Sequence, residues 1–325
     1  MSVRKYPQNL SPFDTISRMK QPVASIDLGS HTARLLIAQQ TGFSERLRPL
    51  LRKRAYIRLA EGFDRVGVRL IGPDAFERVL KVMHEFAHLL VDFNVRQVYG
   101  VATGIIRDAI NRDQFLDHIY EQTNIRIELI SGKREAMLSG KGALNSLNIK
   151  GGPFLVFDLG GGTTEFYYDN RGKVETKSVP LGAAALTNEF IRSDPPGETE
   201  LDSVSREIDQ YLINAHIGPA REHVVIGTGG SVTTLASMLH KIRSDDIRPE
   251  MVNGLRMTLP QIAGCFEEMR YMSVKQRMGL PGLDPERANV IVAGSLVILG
   301  LMKYLGALEV IISMSDLLEG LLIEY

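Results

Sequence analysis

Two segments of the chain share one pattern, in which an apolar run ends in Asp, a glycine turn follows and a second apolar run returns. The first segment contains Asp27, and the second contains Asp158, 131 positions later. The pattern predicts a strand, a tight turn and a returning strand in each segment. Backbone N–H groups of a glycine turn can approach a phosphate, and an Asp at a strand end can hold a divalent cation beside it. Two such turns in one chain indicate two related domains that face each other across a phosphate site.

Composition limits the class of protein. With 44% hydrophobic and 23% charged residues, the 325-residue chain is typical of a soluble globular protein with room for two domains. Its formal net charge is zero, so no overall field attracts a nucleic acid or another polyanion. The longest uncharged apolar stretch, residues 290–302, is too short to span a bilayer, and residues 1–21 lack the apolar core of a signal peptide. A single cysteine, Cys265, excludes an internal disulfide and a multi-cysteine zinc site, which favours a cytoplasmic location.

Strands and helices alternate along both halves of the chain, which predicts an α/β fold. We expect an N-terminal tail over residues 1–21 and a domain I over residues 22–146, joined by the C-terminal segment 310–325. Domain II is expected over residues 147–309, because a Gly-Gly-Pro breaker at residues 151–153 marks the start of the second half.

One predicted helix begins with an N-cap. Ser131 has the side chain of such a cap, so a helix is expected from there to Leu144, with Glu135 in its first turn. Gly140 and Gly142 lower the intrinsic helicity of this segment. They therefore indicate close backbone packing where the helix crosses between the domains.

A third glycine loop, Gly227-Thr-Gly-Gly-Ser231, precedes another predicted helix, where free N–H groups and the helix dipole favour an anion. The loops do not match the Rossmann fingerprint, because the sixth position is Glu165 when counted from Gly160 and Val232 when counted from Gly227. The chain contains no Gly-Lys-Ser or Gly-Lys-Thr and therefore no P-loop. A single glycine turn is usually only a tight hairpin, but three such loops, two of them preceded by Asp, favour a phosphate site.

Several short motifs occur in an order that resembles one known family. Besides the glycine loops, they are Arg58-Leu-Ala60 with Gly62, Val101-Ala-Thr103 with Arg107 and Asn111, Ile130-Ser-Gly132 with Glu135-Ala136, and Leu280-Pro-Gly282 with Arg287-Ala288. Over about residues 22–325 the chain is similar to the exopolyphosphatase/guanosine pentaphosphate phosphohydrolase family. The resemblance implies two ribonuclease-H-like domains of the actin and sugar-kinase type with an interdomain cleft. It also implies Mg²⁺-dependent removal of terminal phosphate from polyphosphate or guanosine pentaphosphate.

The resemblance assigns roles to individual residues. Glu135 is the general base that activates water for in-line attack on the terminal phosphorus, and Glu165 orients a metal-bound water or the nucleophile. Asp158, with Asp27 as the second candidate, holds Mg²⁺, which keeps most of its waters and bridges to substrate phosphate. The phosphate-binding residues are Arg107, whose planar fork suits an oxygen pair, and the loop residues Gly29, Ser30, His31, Gly160, Gly161, Gly162, Thr163, Gly229, Gly230 and Ser231. Without the resemblance, the carboxylates can equally be read as side chains that complement a helix dipole or bond their own turn.

A basic stretch follows the first glycine turn. Between Ser44 and Leu70 there are three acids and eight basic residues, namely Arg46, Arg48, Arg52, Lys53, Arg54, Arg58, Arg65 and Arg69. This local charge of +5 is a candidate track for a phosphate chain, although such a run can also be a solvated face.

The chain departs from the family pattern at three points. His31 stands where the family usually has Asn, and an imidazole is bulkier and titrates near neutrality. Leu318 stands where Arg usually precedes the closing Glu-Gly, so a cation is missing. The chain also ends after the two core domains, whereas longer relatives add helical domains, so processive digestion of very long polyphosphate is not expected.

Two other functions remain open at this level. One is a phosphate-binding or nucleotide-binding sensor of the same fold without turnover, which the changes at His31 and Leu318 would support. The other is a small-molecule kinase, although nothing in the sequence marks an adenosine pocket. The choice between polyphosphate and guanosine pentaphosphate, and the oligomeric state with a homodimer included, are also left open.

Overall fold

The computed structural model describes residues 21–40, 47–59, 69–149, 151–243 and 246–324. Residues 1–20 of the predicted tail, the basic residues Arg46 and Arg65, and the motif residues Ala60 and Gly62 lie outside the described residues. The described chain forms two mixed β-sheets covered by helices, which confirms the predicted α/β class.

The first sheet contains five strands: β1 (Val23–Leu28), β2 (Thr32–Gln40), β3 (Leu47–Tyr56), β4 (Gln97–Ala102) and β5 (Ile127–Leu129). Their order in space is β3-β2-β1-β4-β5, with β1 to β3 antiparallel and β4 and β5 parallel to β1. Its helices are α1 (Pro73–Asp92), α2 (Ile105–Asp108) and α3 (Arg112–Thr123). Helix α1 buries an apolar stripe with helical spacing.

The second sheet contains six strands: β6 (Phe154–Leu159), β7 (Thr164–Asn170), β8 (Lys173–Val179), β9 (Val224–Thr228), β10 (Arg256–Thr258) and β11 (Glu309–Ile312). Their order in space is β10-β11-β9-β6-β7-β8. The helices on this side are α5 (Ala183–Phe190), α6 (Glu198–Asn214), α7 (Gly230–Leu239), α8 (Pro249–Val252), α9 (Leu259–Arg270), α10 (Val274–Arg277) and α11 (Ile291–Leu305). Between α10 and α11 lies a 3₁₀ turn, Pro285–Arg287.

The two sheets repeat one topology. Strands β6, β7 and β8 form the same antiparallel series as β1, β2 and β3, and β9 runs parallel to β6 as β4 does to β1. Asp27 and Asp158 occupy the same position in this repeat, one residue before the end of the first strand. The predicted relation between the two Asp-Gly segments is therefore present in the fold.

A long helix, α4 (Gly132–Leu147), connects the two halves and begins at Ser131, whose hydroxyl oxygen accepts from the Arg134 N–H as predicted for an N-cap. The helix packs against β6, β7 and β8 and against the last helix, α12 (Leu317–Glu324). A Cβ on Gly142 would lie 1.9 Å from the carbonyl oxygen of Asp316, and a Cβ on Gly140 would lie 2.2 Å from the Tyr167 ring. The expected close packing at both glycines is present.

The C-terminal segment is divided between the two sheets. Strand β11 pairs with β9 in the second sheet, whereas α12 packs against α4 and β1. We expected residues 310–325 to join domain I. For strand β11 this expectation is corrected, because its backbone hydrogen bonds extend the second sheet. The other domain boundaries stay a prediction.

Some elements of the fold had no sequence-based prediction, and these are short or strongly charged. Residues 47–56 of the basic stretch form β3, which pairs with β2 along its length with one register shift between Ile37 and Ala38. Among the described residues, every helix is too short or too polar to cross a membrane.

Candidate active site

A cavity of about 530 Å³ lies between the two sheets, and the three glycine loops line it. The first loop comprises residues 29–31, the second residues 160–163 and the third residues 229–231. Asp27 and Asp158 line the same cavity, together with Glu135 and Glu165. The structure thus brings together every predicted site residue except Arg107, while the roles of these residues stay predictions.

The second and third loops are packed directly on each other. Gly229 has a φ of +99°, and a Cβ on it would lie 2.3 Å from the Leu159 carbonyl oxygen. Only glycine allows this left-handed conformation at such a short distance from another backbone segment. The first N–H groups of α7 are held beside the second glycine loop in this way, where they can bind an anion.

Arg287 fills the space that a side chain at position 230 would need. A Cβ on Gly230 would lie 1.8 Å from the guanidinium carbon of Arg287, which lines the cavity. The Arg287 Nε is buried without a hydrogen-bond partner among the described residues. In the sequence Arg287 is only part of a motif without an assigned role, and its position over the third loop makes it a further candidate phosphate ligand.

The two glycines of the third loop should respond differently to alanine. Gly229→Ala is expected to destabilise the fold and lower Tm, because it clashes with backbone and strains φ. Gly230→Ala should leave Tm nearly unchanged and weaken binding of inorganic tripolyphosphate, because the flexible end of Arg287 can move away from the new methyl group. Thermal unfolding and calorimetric titration measure the two effects, and equal Tm losses in both variants would contradict this assignment.

Glu135 is the acid that faces the cavity from helix α4. Its side chain is 10% exposed, and Oε2 is buried without a hydrogen-bond partner among the described residues. The nearest cation is Arg107, whose Nη1 lies 3.5 Å from this oxygen. Burial raises the pKa of Glu135 well above its ordinary value, and the charges of Glu165, Asp27 and Asp158 raise it further.

Asp158 and Glu165 face each other across the β6–β7 hairpin. The Ser139 hydroxyl donates to Asp158 Oδ2 over 2.7 Å, and the Ser178 hydroxyl donates to Glu165 Oε1 over 2.7 Å. Burial is the main cause that raises the pKa of Asp158 to about 7 and that of Glu165 to about 8. A cation bound in this half of the cavity would therefore favour the charged forms of both carboxyls and lower their pKa values.

The corresponding position in the first sheet holds a cation instead of an acid. Arg34 pairs with Asp27 across the β1–β2 hairpin, and its Nε and Nη2 donate to Asp27 Oδ2 over 2.9 and 2.7 Å. It also forms an ion pair with Asp316. Burial still raises the pKa of Asp27, although Arg34 opposes the change. Asp158 is the less neutralised of the two predicted metal ligands, and the role of both as ligands stays a prediction.

The buried acids should make the metal-free protein less stable as pH rises. Asp158 and Glu165 hold protons when folded up to about pH 7 and 8, whereas their ordinary pKa values are 3.8 and 4.5. The folded state binds more protons in this interval, so the free energy of unfolding falls between about pH 5 and pH 8. Glu165→Gln should raise Tm at pH 8 and flatten this dependence, whereas the exposed control Glu175→Gln should follow wild type. A Tm that rises across this interval would contradict the assignment.

His31 and Leu318 lie in the cavity wall. The expectation that His31 titrates near neutrality is wrong, because burial, Arg287 and Arg58 lower its pKa to about 4 and leave the imidazole neutral at pH 7. Leu318 is 3% exposed in an apolar cluster, and its backbone carbonyl accepts from the Ser25 hydroxyl over 2.8 Å.

Arg107 contacts Glu135 and donates to the Ile130 carbonyl over 3.3 Å. It is not among the described residues that line the cavity. Its predicted role as a phosphate ligand requires the side chain to move toward the loops, and it stays a prediction.

The basic stretch is largely engaged in ion pairs with acids of other segments. Arg52 pairs with Glu319, Arg54 with Asp284 and Arg58 with Glu286. Arg52, Lys53 and Arg54 also line the cavity. The sequence could not reveal these partners, because they lie more than 200 positions away.

Comparison with known proteins settles the family. A sequence profile of the Ppx/GppA phosphatase family matches residues 36–325. The chain belongs to the Ppx/GppA phosphatase family.

Exopolyphosphatase 2 of Mycobacterium tuberculosis is 30% identical over 317 residues, which cover 92% of this chain and 97% of the relative. The Aquifex aeolicus family member matches the structure with a TM-score of 0.79 at 29% identity, covering 94% of this chain and 97% of that one. An exopolyphosphatase from Cytophaga hutchinsonii matches with a TM-score of 0.81 at 25% identity, covering 93% and 96%.

Membership of the Ppx/GppA family confirms the predicted resemblance and the class of enzyme, a hydrolase that releases phosphate. The similarity to solved structures of the family also confirms the predicted fold of two ribonuclease-H-like domains. The cavity described above lies between the repeated sheets of this fold.

Proposed function

We propose that this member of the Ppx/GppA family hydrolyses the terminal phosphoanhydride bond of inorganic polyphosphate, and that guanosine pentaphosphate enters the same site. The observation that carries the proposal is the Glu135 carboxylate, buried in the cavity wall with one oxygen free of hydrogen bonds among the described residues. The cavity volume of about 530 Å³ lies within the usual range for small ligands. The names of two relatives, both exopolyphosphatases, support polyphosphate as the substrate.

In the proposed reaction Glu135 takes a proton from water while the water oxygen attacks the terminal phosphorus. The bond from that phosphorus to the bridging oxygen breaks, which releases orthophosphate and a chain one phosphate shorter. N–H groups of the glycine loops and the guanidinium of Arg287 would neutralise the transferred group, and Arg107 would assist from beside Glu135. Glu165 would orient the water, as the sequence analysis expects.

Mg²⁺ fits the donor set of the cavity. Asp27 Oδ1 and Glu135 Oε2 are buried without hydrogen-bond partners among the described residues. The charge of Asp158 raises the pKa of Glu135, and the charge of Asp27 raises the pKa of Asp158. No group of three or more metal-binding side chains occurs in the described part of the chain, but Mg²⁺ commonly uses one or two carboxylates and takes its other ligands from water and phosphate. We assign Asp158 and Asp27 to it. When bound, Mg²⁺ would neutralise phosphate charge and lower the pKa values of the surrounding carboxyls.

The direct test is phosphate release by the purified protein from tripolyphosphate, long-chain polyphosphate and guanosine pentaphosphate, with Mg²⁺ or with chelator. Mg²⁺-dependent release from polyphosphate supports the proposal, and the three rates rank the substrates. Binding without release from any substrate would identify the sensor alternative. ADP formation from ATP that depends on an added acceptor would identify the kinase alternative.

Lys53 provides a test of the predicted phosphate track. It is exposed on the cavity wall, and no ion pair involves it among the described residues. Lys53→Glu should weaken binding of long polyphosphate more than of tripolyphosphate, and the loss should shrink as salt rises, because exposed charges are screened beyond about 8–10 Å. Lys81→Glu on α1 is the matched control, since Lys81 is exposed but not part of the cavity. Equal losses at all chain lengths would favour a solvated face.

A further inference from the structure

Asp284 joins the two halves of the cleft through one carboxylate oxygen. The Tyr56 hydroxyl donates to Asp284 Oδ2 over 2.6 Å, and Arg54 Nη2 donates to the same oxygen over 2.5 Å. Tyr56 and Arg54 belong to β3 of the first sheet, whereas Asp284 precedes the 3₁₀ turn of the second half. We call Arg54, Tyr56 and Asp284 the cleft latch.

The other groups of Asp284 are tied to the turn that carries Arg287. Asp284 Oδ1 accepts from the Glu286 N–H over 3.2 Å, and the Asp284 carbonyl accepts from the Arg287 N–H over 2.8 Å. The backbone between Asp284 and Arg287 is therefore a single hydrogen-bonded turn. A shift of Asp284 would move the base of the Arg287 side chain, which reaches over Gly230.

Tyr56 connects the latch to the first glycine loop. Its ring contacts the His31 ring edge to face, with centroids 5.4 Å apart. Burial raises the pKa of Tyr56 to about 12, so the hydroxyl keeps its proton and remains a donor at neutral pH. One continuous set of contacts thus runs from the first loop through Tyr56 and Asp284 to Arg287 and the third loop.

We propose that Asp284 is a positioning residue that holds the cleft closed through Tyr56 and Arg54 and thereby places Arg287 over the third glycine loop. The neighbouring pair Arg58–Glu286 contributes less, because its side chains are 41% and 46% exposed and such pairs are weak. The Asp284 side chain is only 13% exposed and forms charge-assisted hydrogen bonds, which are stronger. The role of Arg287 as a phosphate ligand rests on the proposed function, whereas closure of the cleft does not.

Two measurements test the latch. Cys265 is the single cysteine and is buried, so spin labels can be placed at Glu77→Cys and Asp209→Cys in a Cys265→Ser background. These positions lie on α1 and α6, on opposite sides of the cleft. Asp284→Asn and Tyr56→Phe should broaden and lengthen the distance distribution from double electron–electron resonance. Both should also weaken binding of inorganic tripolyphosphate by about tenfold, the usual effect of losing a hydrogen bond to a charged group.

The controls separate positioning from a general loss of charge. Glu309→Gln removes an exposed acid paired with Arg256 inside the second sheet and should change neither the distance nor the affinity. Arg287→Gln should weaken tripolyphosphate binding while the distance stays as in wild type. If Asp284→Asn fails to fold, Tyr56→Phe still tests the latch, since it removes only the hydroxyl.

The outcomes are distinct. Wild-type distances in both Asp284→Asn and Tyr56→Phe would overturn the latch, whether or not the affinity falls. If the distance between the spin labels changes but the affinity for tripolyphosphate does not, the proposed positioning of Arg287 by Asp284 is overturned. Failure of wild type to release phosphate from any substrate would reject the proposed function, while the distance measurement would still decide on the latch.

Discussion

Replacement of Glu135 by Gln should lower the rate of phosphate release by about 10²–10⁴-fold, the usual contribution of a general base. Gln keeps the size of the side chain but cannot take a proton from water. The structure gives the reason for a large effect, because the Glu135 carboxylate is buried in the cavity wall and its Oε2 has no hydrogen-bond partner among the described residues.

Binding should behave differently from the rate in Glu135→Gln. The proposed phosphate ligands, the glycine loops and Arg287, are separate from Glu135, and removal of a negative charge near a polyanion favours binding. Tripolyphosphate affinity should therefore be equal to or higher than that of wild type. Glu128→Gln, an exposed acid on the preceding strand β5, is the matched control and should retain full activity. Near-wild-type turnover in Glu135→Gln would show that the base lies elsewhere, with Glu165 as the next candidate.

Replacement of Asp158 by Asn should lower the rate and also raise the Mg²⁺ concentration needed for half-maximal activity. Loss of a group that only orients a metal ligand costs about 10–100-fold in affinity, so loss of a ligand itself should cost at least that much. Asn can still accept from the Ser139 hydroxyl, which keeps the local hydrogen bond of the carboxylate. The change therefore tests the charge of Asp158 more than its packing.

Asp27→Asn provides the comparison for Asp158→Asn. Asp27 already receives two hydrogen bonds from Arg34, which neutralises much of its charge. We therefore expect a smaller shift in Mg²⁺ dependence than for Asp158→Asn, although both residues line the cavity. Calorimetric titration of Mg²⁺ in the presence of tripolyphosphate measures this shift without turnover if the Glu135→Gln background is used. A larger shift for Asp27→Asn would reverse the assigned order of the two ligands.

Several features of the site follow from local patterns in the sequence. The paired Asp-Gly turns, the N-cap at Ser131 and the position of Glu135 in the first turn of its helix are all present in the structure. These features depend on neighbouring residues, through strand alternation, turn chemistry and capping, which act over a few positions. The hairpin register that places Arg34 opposite Asp27 also follows from local spacing.

Other features depend on contacts between distant parts of the chain. His31 illustrates this dependence, because its ordinary pKa of 6.5 falls to about 4 only when burial, Arg287 and Arg58 act together. The basic stretch was predicted as a phosphate track or a solvated face, and it became a strand whose arginines pair with Asp284, Glu286 and Glu319.

The sequence by itself determined the α/β class and the repeated Asp-Gly hairpins, because both follow from local alternation of apolar runs and turns. Its resemblance to a known family added Glu135 and Glu165 as candidate acids, and both line the cavity. Only the tertiary structure decided that Arg34 bridges Asp27 and Asp316, that β11 joins the second sheet and that Arg287 occupies the space above Gly230. The physical reason is that ion pairing, desolvation and the close approach of a side chain to a glycine are set by distances in space. Arg34 and Asp316 are 282 positions apart and acquire such a distance only when the C-terminal segment packs against the first sheet.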